Sequence, residues 1–213
     1  MTTPAYDQDF WEQLWARTLR EHADGVARRP PNAHLIAEAS ALTPGRALDA
    51  GCGHGSETLW LAARGWQVTA VDFSAAALNY GRSAAQSAGA QSAGAQIAAQ
   101  VQWVEADLGS WTTQTAHFDL VVSLYVHIGG SPAEMVQRMA AAVAPSGTLL
   151  MVGHQPIDPA TGAATPAAGQ QQVSVQDAVA ALDPGEWEIL VAEERVRAAA
   201  GSGVDALIRA LRR

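Results

Sequence analysis

The sequence predicts an α/β fold, a three-layer sandwich with helices on both faces of a mostly parallel sheet, and three observations predict it. Short apolar runs recur at 47–50, 68–71, 101–106, 118–123 and 148–152. Stretches with helical spacing fall between most of them, around 55–65, 74–88 and 131–144. The first apolar run passes directly into glycines at alternate positions, Gly51, Gly53 and Gly55, before the first of those helices. Strands that alternate with helices run parallel, and right-handed crossovers stack the helices on the sheet. Such a sheet carries its ligand beyond the carboxyl ends of its strands, where the strand order reverses.

The elements follow in order. Phe10, Trp11, Leu14, Trp15 and Leu19 recur near helical spacing, which predicts an amphipathic helix over 7–22. Arg28-Arg29-Pro30-Pro31 breaks it, and Asn32 is a good N-cap for a second helix reaching Leu42. Thr43-Pro44-Gly45 turns the chain into the first strand. Gln86-Ser87-Ala88-Gly89-Ala90 is followed by a copy over 91–95, a small tandem duplication read as a tolerated insertion before the third strand. Asp119 is expected to position the turn before the fourth strand. Residues 156–172, rich in Pro, Gly, Ala, Thr and Gln, read as a long loop at the ligand edge, placed to act as a lid. Trp187, Ile189 and Val191 alternate as in a strand, whereas Val204, Leu207, Ile208 and Leu211 have helical spacing, so periodicity alone predicts a terminal helix.

Bulk properties bound the function. A chain of 213 residues fits one domain, here a helical cap over 1–42 and a core over 43–213. The apolar and charged fractions, 48% and 16%, are those of a globular protein. No apolar run reaches membrane-helix length, and the first residues lack a basic-then-apolar leader. One cysteine, Cys52, permits no internal disulfide and no metal cluster. These features predict a cytoplasmic protein without a membrane or metal partner. A net charge of -8 argues against nucleic acid, which calls for a basic stripe. All thirteen basic residues are arginine. The absence of lysine excludes a P-loop nucleotide site, a Schiff base and a Tyr-x-x-x-Lys pair.

Four motifs carry the chemistry. In Ala47-Leu48-Asp49-Ala50-Gly51-Cys52-Gly53-His54-Gly55 the glycines let backbone N–H groups approach a ligand. Asp49 stands two residues before the first glycine, where a pyrophosphate has no use for negative charge but a ligand with an ammonium and a sulfonium does. In Val68-Thr69-Ala70-Val71-Asp72-Phe73-Ser74, Asp72 closes the second strand 21 residues after Gly51, placed to accept ribose hydroxyls, with Phe73 beside an adenine face. Val104-Glu105-Ala106-Asp107-Leu108 ends the third strand with a carboxylate suited to an adenine amino group. The fourth strand, Phe118-Asp119-Leu120-Val121-Val122-Ser123-Leu124-Tyr125-Val126-His127, ends in polar residues at the ligand edge of the sheet.

These four elements, in this order and spacing, resemble the class I S-adenosylmethionine-dependent methyltransferases. Tyr6-Asp7-x-x-Phe10-Trp11 and the small size resemble the branch of tellurite-resistance and thiopurine methyltransferases, and Pro145-Ser146-Gly147-Thr148-Leu149-Leu150 is similar to the family's turn before its fifth strand. The resemblance covers 45–155 well and the rest loosely. It implies a Rossmann-like, seven-stranded sheet whose last strand is antiparallel, so 204–211 is expected as a strand against its own periodicity. It further implies that Asp49 and the backbone of Gly51, Cys52 and Gly53 hold the amino-acid end of S-adenosylmethionine and that Asp72 holds its ribose. Ala106, Asp107 and Leu108 would contact adenine, and Ser123 with Leu124 would line the sulfonium.

Beside these stand residues with two readings each. His127 and His154, at the ends of the fourth and fifth strands, are candidate bases toward a small-molecule acceptor, or else hydrogen-bond a loop. Trp11 and Trp15 either cover donor and acceptor or pack a helix on the core. Tyr125 faces the pocket or packs beneath it. Cys52 is a small loop residue and not a nucleophile. A nicotinamide-dependent oxidoreductase is the alternative for the glycine turn, but it expects Gly-x-Gly-x-x-Gly, and Ser56 occupies the sixth place here. A module that binds the donor without catalysis is the other.

Overall fold

A computed structural model describes residues 7–88, 94–127, 130–157, 161–165, 172–196 and 203–213. Its seven strands form one sheet in the order β3-β2-β1-β4-β5-β7-β6. They are β1 (Arg46–Ala50), β2 (Gln67–Asp72), β3 (Val101–Glu105), β4 (Phe118–Leu124), β5 (Val143–His154), β6 (Trp187–Val196) and β7 (Val204–Arg212). The pairs β1–β2, β2–β3 and β4–β5 are parallel, and β7 runs antiparallel to both β5 and β6. This is the expected Rossmann-like architecture, last strand included. The chain divides into two compact units at residue 112, taken in turn.

The unit before the division begins with α1 (Gln8–Ala27), capped by Asp7, whose carboxylate accepts from Phe10 N–H at 3.0 Å. The helix runs five residues past the expected end, through a non-helical His22. Asn32 caps α2 (Ala33–Ala39), accepting from the N–H groups of His34 and Leu35, and the helix stops three residues short of Leu42. Helices α3 (Ser56–Ala62) and α4 (Ala75–Ala88) follow β1 and β2. The second copy of the duplication ends in a helix that sequence spacing does not suggest, α5 (Gly94–Ala99). Residues 89–93, where the copies join, lie outside the described residues, as does Tyr6. Leu48, Ala50, Trp66, Val68, Ala70 and Leu78 are buried in this unit's core.

In the unit after it, Asp119 lies inside β4, at a register shift between Phe118 and Leu120. The fifth strand also starts earlier than its apolar run. Val143 already pairs with Phe118, and the Pro145-Ser146-Gly147 turn is an interruption within β5. Ser146 there has φ of +63°, and a Cβ on Gly147 would meet Ala144 O and Val143 Cγ1 at 2.8 Å, so only glycine fits. Helix α6 (Pro132–Ala142) starts at Pro132 in its first turn, where the missing N–H costs nothing.

Of the 156–172 loop, the described part forms a small local turn. Ile157 bridges Ala164, and Thr165 Oγ1 donates to Gln155 O at 2.6 Å. Gln172, the last residue of the loop, is also described; residues 158–160 and 166–171, on which the lid reading falls, lie outside the described residues. Helix α7 (Val175–Ala181) follows, started by a reciprocal capping box between Ser174 and Asp177. No described helix is long and apolar enough to cross a membrane.

Candidate functional site

The glycine turn is built by backbone that only glycine adopts readily. Gly51, Gly53 and Gly55 have φ of +82°, +51° and +87°. The N–H groups of Gly51 and Cys52 both reach Val71 O, at 2.8 and 3.0 Å, which ties the turn to the end of β2. A Cβ on Gly53 would stand 2.9 Å from the Trp15 ring, and one on Gly55 would stand 2.6 Å from Trp103. Trp15 therefore lies against the turn and tilts over His54 with ring centroids 5.4 Å apart. Trp11 instead packs edge-on against its neighbour Phe10, at 5.3 Å. Cys52 is buried against Ala70 and Leu78, and burial pushes its thiol up, which suits a packing residue and not a nucleophile.

Three carboxylates converge on this turn. Asp49, only 2% exposed, accepts from Thr58 Oγ1 at 2.6 Å. Burial, then the charges of Glu57 and Asp72, push its pKa from 3.8 to about 7. Asp72 accepts from Gly53 N–H through Oδ2 and from Ser74 N–H through Oδ1, each at 2.9 Å. Burial raises Asp72 as well, against those hydrogen bonds. Each of its oxygens keeps a second lone pair for a hydroxyl donor. A cationic ligand would relieve this crowding of negative charge, so the residues fit a donor with an ammonium and a ribose. His54 is driven down mainly by burial, and its buried Nε2 has no hydrogen-bond partner among the described residues.

Helix α1 is fastened to the same corner through its own side chains. Glu12 accepts from Ser74 Oγ at 2.6 Å and from Ala76 N–H at the start of α4, and Gln8 Nε2 donates to Phe73 O at 3.1 Å. After β3, Ala106 N–H donates to Asp72 O at 3.0 Å and Leu108 is buried. The Asp107 carboxylate is turned to its own loop, accepting from Gly109 N–H at 2.8 Å.

The later unit holds the other candidates. Ser123, buried, lines a pocket with Val126, Met135, Met151, Val152 and Val173, while Leu124 is half-buried. His154 Nδ1 lies 3.2 Å from Asp205 Oδ1, across the β5–β7 register in which the two residues pair. Tyr125, in left-handed backbone at φ +56°, stacks on the His154 ring at 3.9 Å and donates its hydroxyl to Asp205 Oδ2 at 2.7 Å. Gln172 Nε2 meets His127 Nε2 at 2.6 Å, and its Oε1 accepts from His154 N–H. Sequence reading misses Asp205, Gln172, Thr58 and Glu12. The capping signal Ser174-x-x-Asp177 is the one local pattern that points near any of them.

Residues 47–147 match the family described as methyltransferase domain. That stretch, a little under half of the chain, is similar to methyltransferase domains. The trans-aconitate 2-methyltransferase of Paracidovorax citrulli (strain AAC00-1) is 29% identical over 139 residues, 63% of this chain and 48% of that protein. The chain thus spans about half the length of that relative. TehB from Haemophilus influenzae aligns with a TM-score of 0.67 and 16% identity, over 95% of this chain and 67% of its own. The N-methyltransferase NodS from Bradyrhizobium japonicum WM9, in complex with S-adenosyl-L-homocysteine, aligns with a TM-score of 0.67 and 19% identity, over 95% and 98%. Both likenesses concern the fold.

Proposed function

We propose that this methyltransferase domain moves a methyl group from S-adenosylmethionine to an O, S or N atom of a small-molecule acceptor, as a single domain of the cytoplasm. The observation that carries the reading is Asp49, a buried carboxylate beside a glycine turn with Glu57 and Asp72 crowding it. That arrangement calls for a cation. It disfavours the pyrophosphate of a nicotinamide cofactor, whose charge would add to the repulsion.

In this reading Asp49 and the backbone of Gly51, Cys52 and Gly53 hold the donor's amino-acid end, and Asp72 takes the ribose. Phe73, Ala106, Asp107 and Leu108 serve the adenine, Asp107 through its backbone because its carboxylate is engaged in its own loop. Ser123 and Leu124 line the sulfonium, and Trp15, with Trp11 on the same helix, covers donor and acceptor. The donor supplies an electron-poor methyl carbon and leaves as a neutral thioether. The protein's part is alignment and exclusion of water, which can supply much of the rate. His127 and His154 are the candidate bases, and NodS, an N-methyltransferase, has the same fold.

Isothermal titration calorimetry of the purified protein with S-adenosylhomocysteine, and separately with NAD, tests the reading. Binding of the first and not the second is expected. Heat from NAD alone would end it.

A further inference from the structure

One face of α1 touches both the glycine turn and the corner after β2. Gln8, Glu12 and Trp15 follow each other at intervals of four and three, so they leave the helix on the same side. All three, and everything they reach, belong to the unit before residue 112. Gln8 Nε2 donates to Phe73 O at 3.1 Å. Glu12 Oε2 accepts from Ser74 Oγ at 2.6 Å and from Ala76 N–H at 3.2 Å. The Trp15 ring stands 2.9 Å from where a Cβ on Gly53 would be.

These contacts fall on the backbone that holds Asp72. Its Oδ2 accepts from Gly53 N–H and its Oδ1 from Ser74 N–H, each at 2.9 Å. Trp15 lies against the first of these donor residues, and Glu12 grips the second through its hydroxyl. Ser74 is fully buried, and its Oγ also accepts from Ala77 N–H at 3.2 Å. Ser74 and Glu12 together therefore satisfy the N–H groups of the second and third residues of α4, which no carbonyl within that helix can reach. The second of these caps comes from 64 positions away, and its charge meets the positive end of the α4 dipole. The same placement brings one carboxylate toward another, since Glu12 adds to the repulsion that raises Asp72. Hydroxyl donors on Asp72 would relieve it.

Resting on the donor reading above, we propose that Gln8, Glu12 and Trp15 are positioning residues for Asp72, that Glu12 sets the preference for a donor with both ribose hydroxyls, and that docking of α1 and occupancy of the ribose site strengthen each other. A carboxylate whose N–H partners are already fixed loses little freedom when a ligand arrives. With the Ser74 turn loosened, the same carboxylate must be ordered at the moment of binding. The relation is reciprocal. A ribose that fixes Asp72 also fixes Gly53 and Ser74, and with them the surface on which α1 lies. Glu12 acts on the donor only through Ser74 and Asp72.

Isothermal titration calorimetry with S-adenosylhomocysteine and with its 2′,3′-dideoxy counterpart tests this in the wild type and in Glu12→Ala. The variant should bind S-adenosylhomocysteine about tenfold more weakly and the dideoxy compound within about twofold of wild type, because the lost interaction belongs to the hydroxyls. Equal weakening of both ligands, or of neither, overturns the proposal. Glu12→Gln keeps an oxygen that can serve Ser74 and Ala76 together, as Oε2 does. It should restore affinity to within about threefold, and a loss as large as that of alanine overturns positioning by Glu12. Should Glu12→Ala not fold, Glu12→Asp, whose carboxylate falls one methylene short, carries the same expectations. Amide hydrogen exchange needs no ligand. Gly53 and Ser74 should exchange about tenfold faster in Glu12→Ala, and unchanged rates mean that α1 does not hold them. In the wild type, S-adenosylhomocysteine should slow exchange along α1 more than the dideoxy compound does; equal protection overturns the coupling. Absence of S-adenosylhomocysteine binding in the wild type would remove the donor reading alone, and the exchange rates at Gly53 and Ser74 would still decide the positioning.

Discussion

Asp49 is the residue on which ligand affinity should depend most. A carboxylate raised to about 7 by burial is partly protonated in neutral solution, and a bound ammonium would pull it back into the ionised form. Binding of S-adenosylhomocysteine near neutral pH should thus release a proton. Calorimetry in two buffers of different ionisation enthalpy will detect it as a buffer-dependent heat. Asp49→Asn should abolish that dependence and weaken binding about ten- to a hundredfold, the usual worth of a hydrogen bond to a charged partner. Asp49, Asp72 and the glycines were legible in the sequence because each motif is contiguous and sits at a strand end. Asp205 was not. Its partner His154 is 51 positions away, and the two meet only through the antiparallel β5–β7 register. Glu12 and Ser74, 62 positions apart, escaped for the same reason.

Among the elements, α4 and β3 offer a test in which intrinsic propensity and packing disagree in sign. Gly81 lies inside α4, where replacement by alanine ordinarily gains about 0.5–1 kcal/mol. Its missing Cβ, however, is the space taken by Trp103, with ring atoms 2.5 and 2.6 Å from where that carbon would be. Gly81→Ala should therefore destabilise the protein by about 1–3 kcal/mol in urea unfolding, the cost of overpacking. Combined with Trp103→Leu, the two changes should couple favourably in a double-mutant cycle; simple additivity would mean that the ring moves aside freely. The elements that spacing failed to place have physical explanations too. Strand β7 is buried along most of its length between β5 and β6, so it lacks the alternation of a half-exposed strand. Its apolar residues then mimic helical spacing, and the resemblance to a family, not the pattern, predicted a strand. Strand β5 began early because a glycine-bearing interruption sits within it, where sequence reads only a turn.

Across the whole molecule, the acid groups at the glycine turn set a pH dependence of stability that a ligand should invert. Asp49 and Asp72 have folded-state pKa values raised above the ordinary 3.8, so the folded chain keeps protons that the unfolded chain has released. Below that value both states are protonated and burial is cheap. As pH rises through the window up to about 7 for Asp49, the folded state must ionise a buried group, and stability falls by an amount on the order of a few kcal/mol before levelling. The net charge of -8 acts in the same direction through self-repulsion. Asp49→Asn isolates the local part, because it removes the titrating group and barely alters the remainder. Scanning calorimetry should show the wild-type Tm falling between about pH 5 and pH 8, and the variant falling less. With S-adenosylhomocysteine at one fixed concentration, about a hundred times its Kd at pH 7, mass action there adds about 2.7 kcal/mol, or roughly 5–10 °C in a chain of this length. That increment should grow with pH if the ammonium pairs with an ionised Asp49, since the ligand stabilises the form that costs the free protein most. An increment that shrinks with pH would place the cation away from Asp49 and leave the buried carboxylate with a purely structural task.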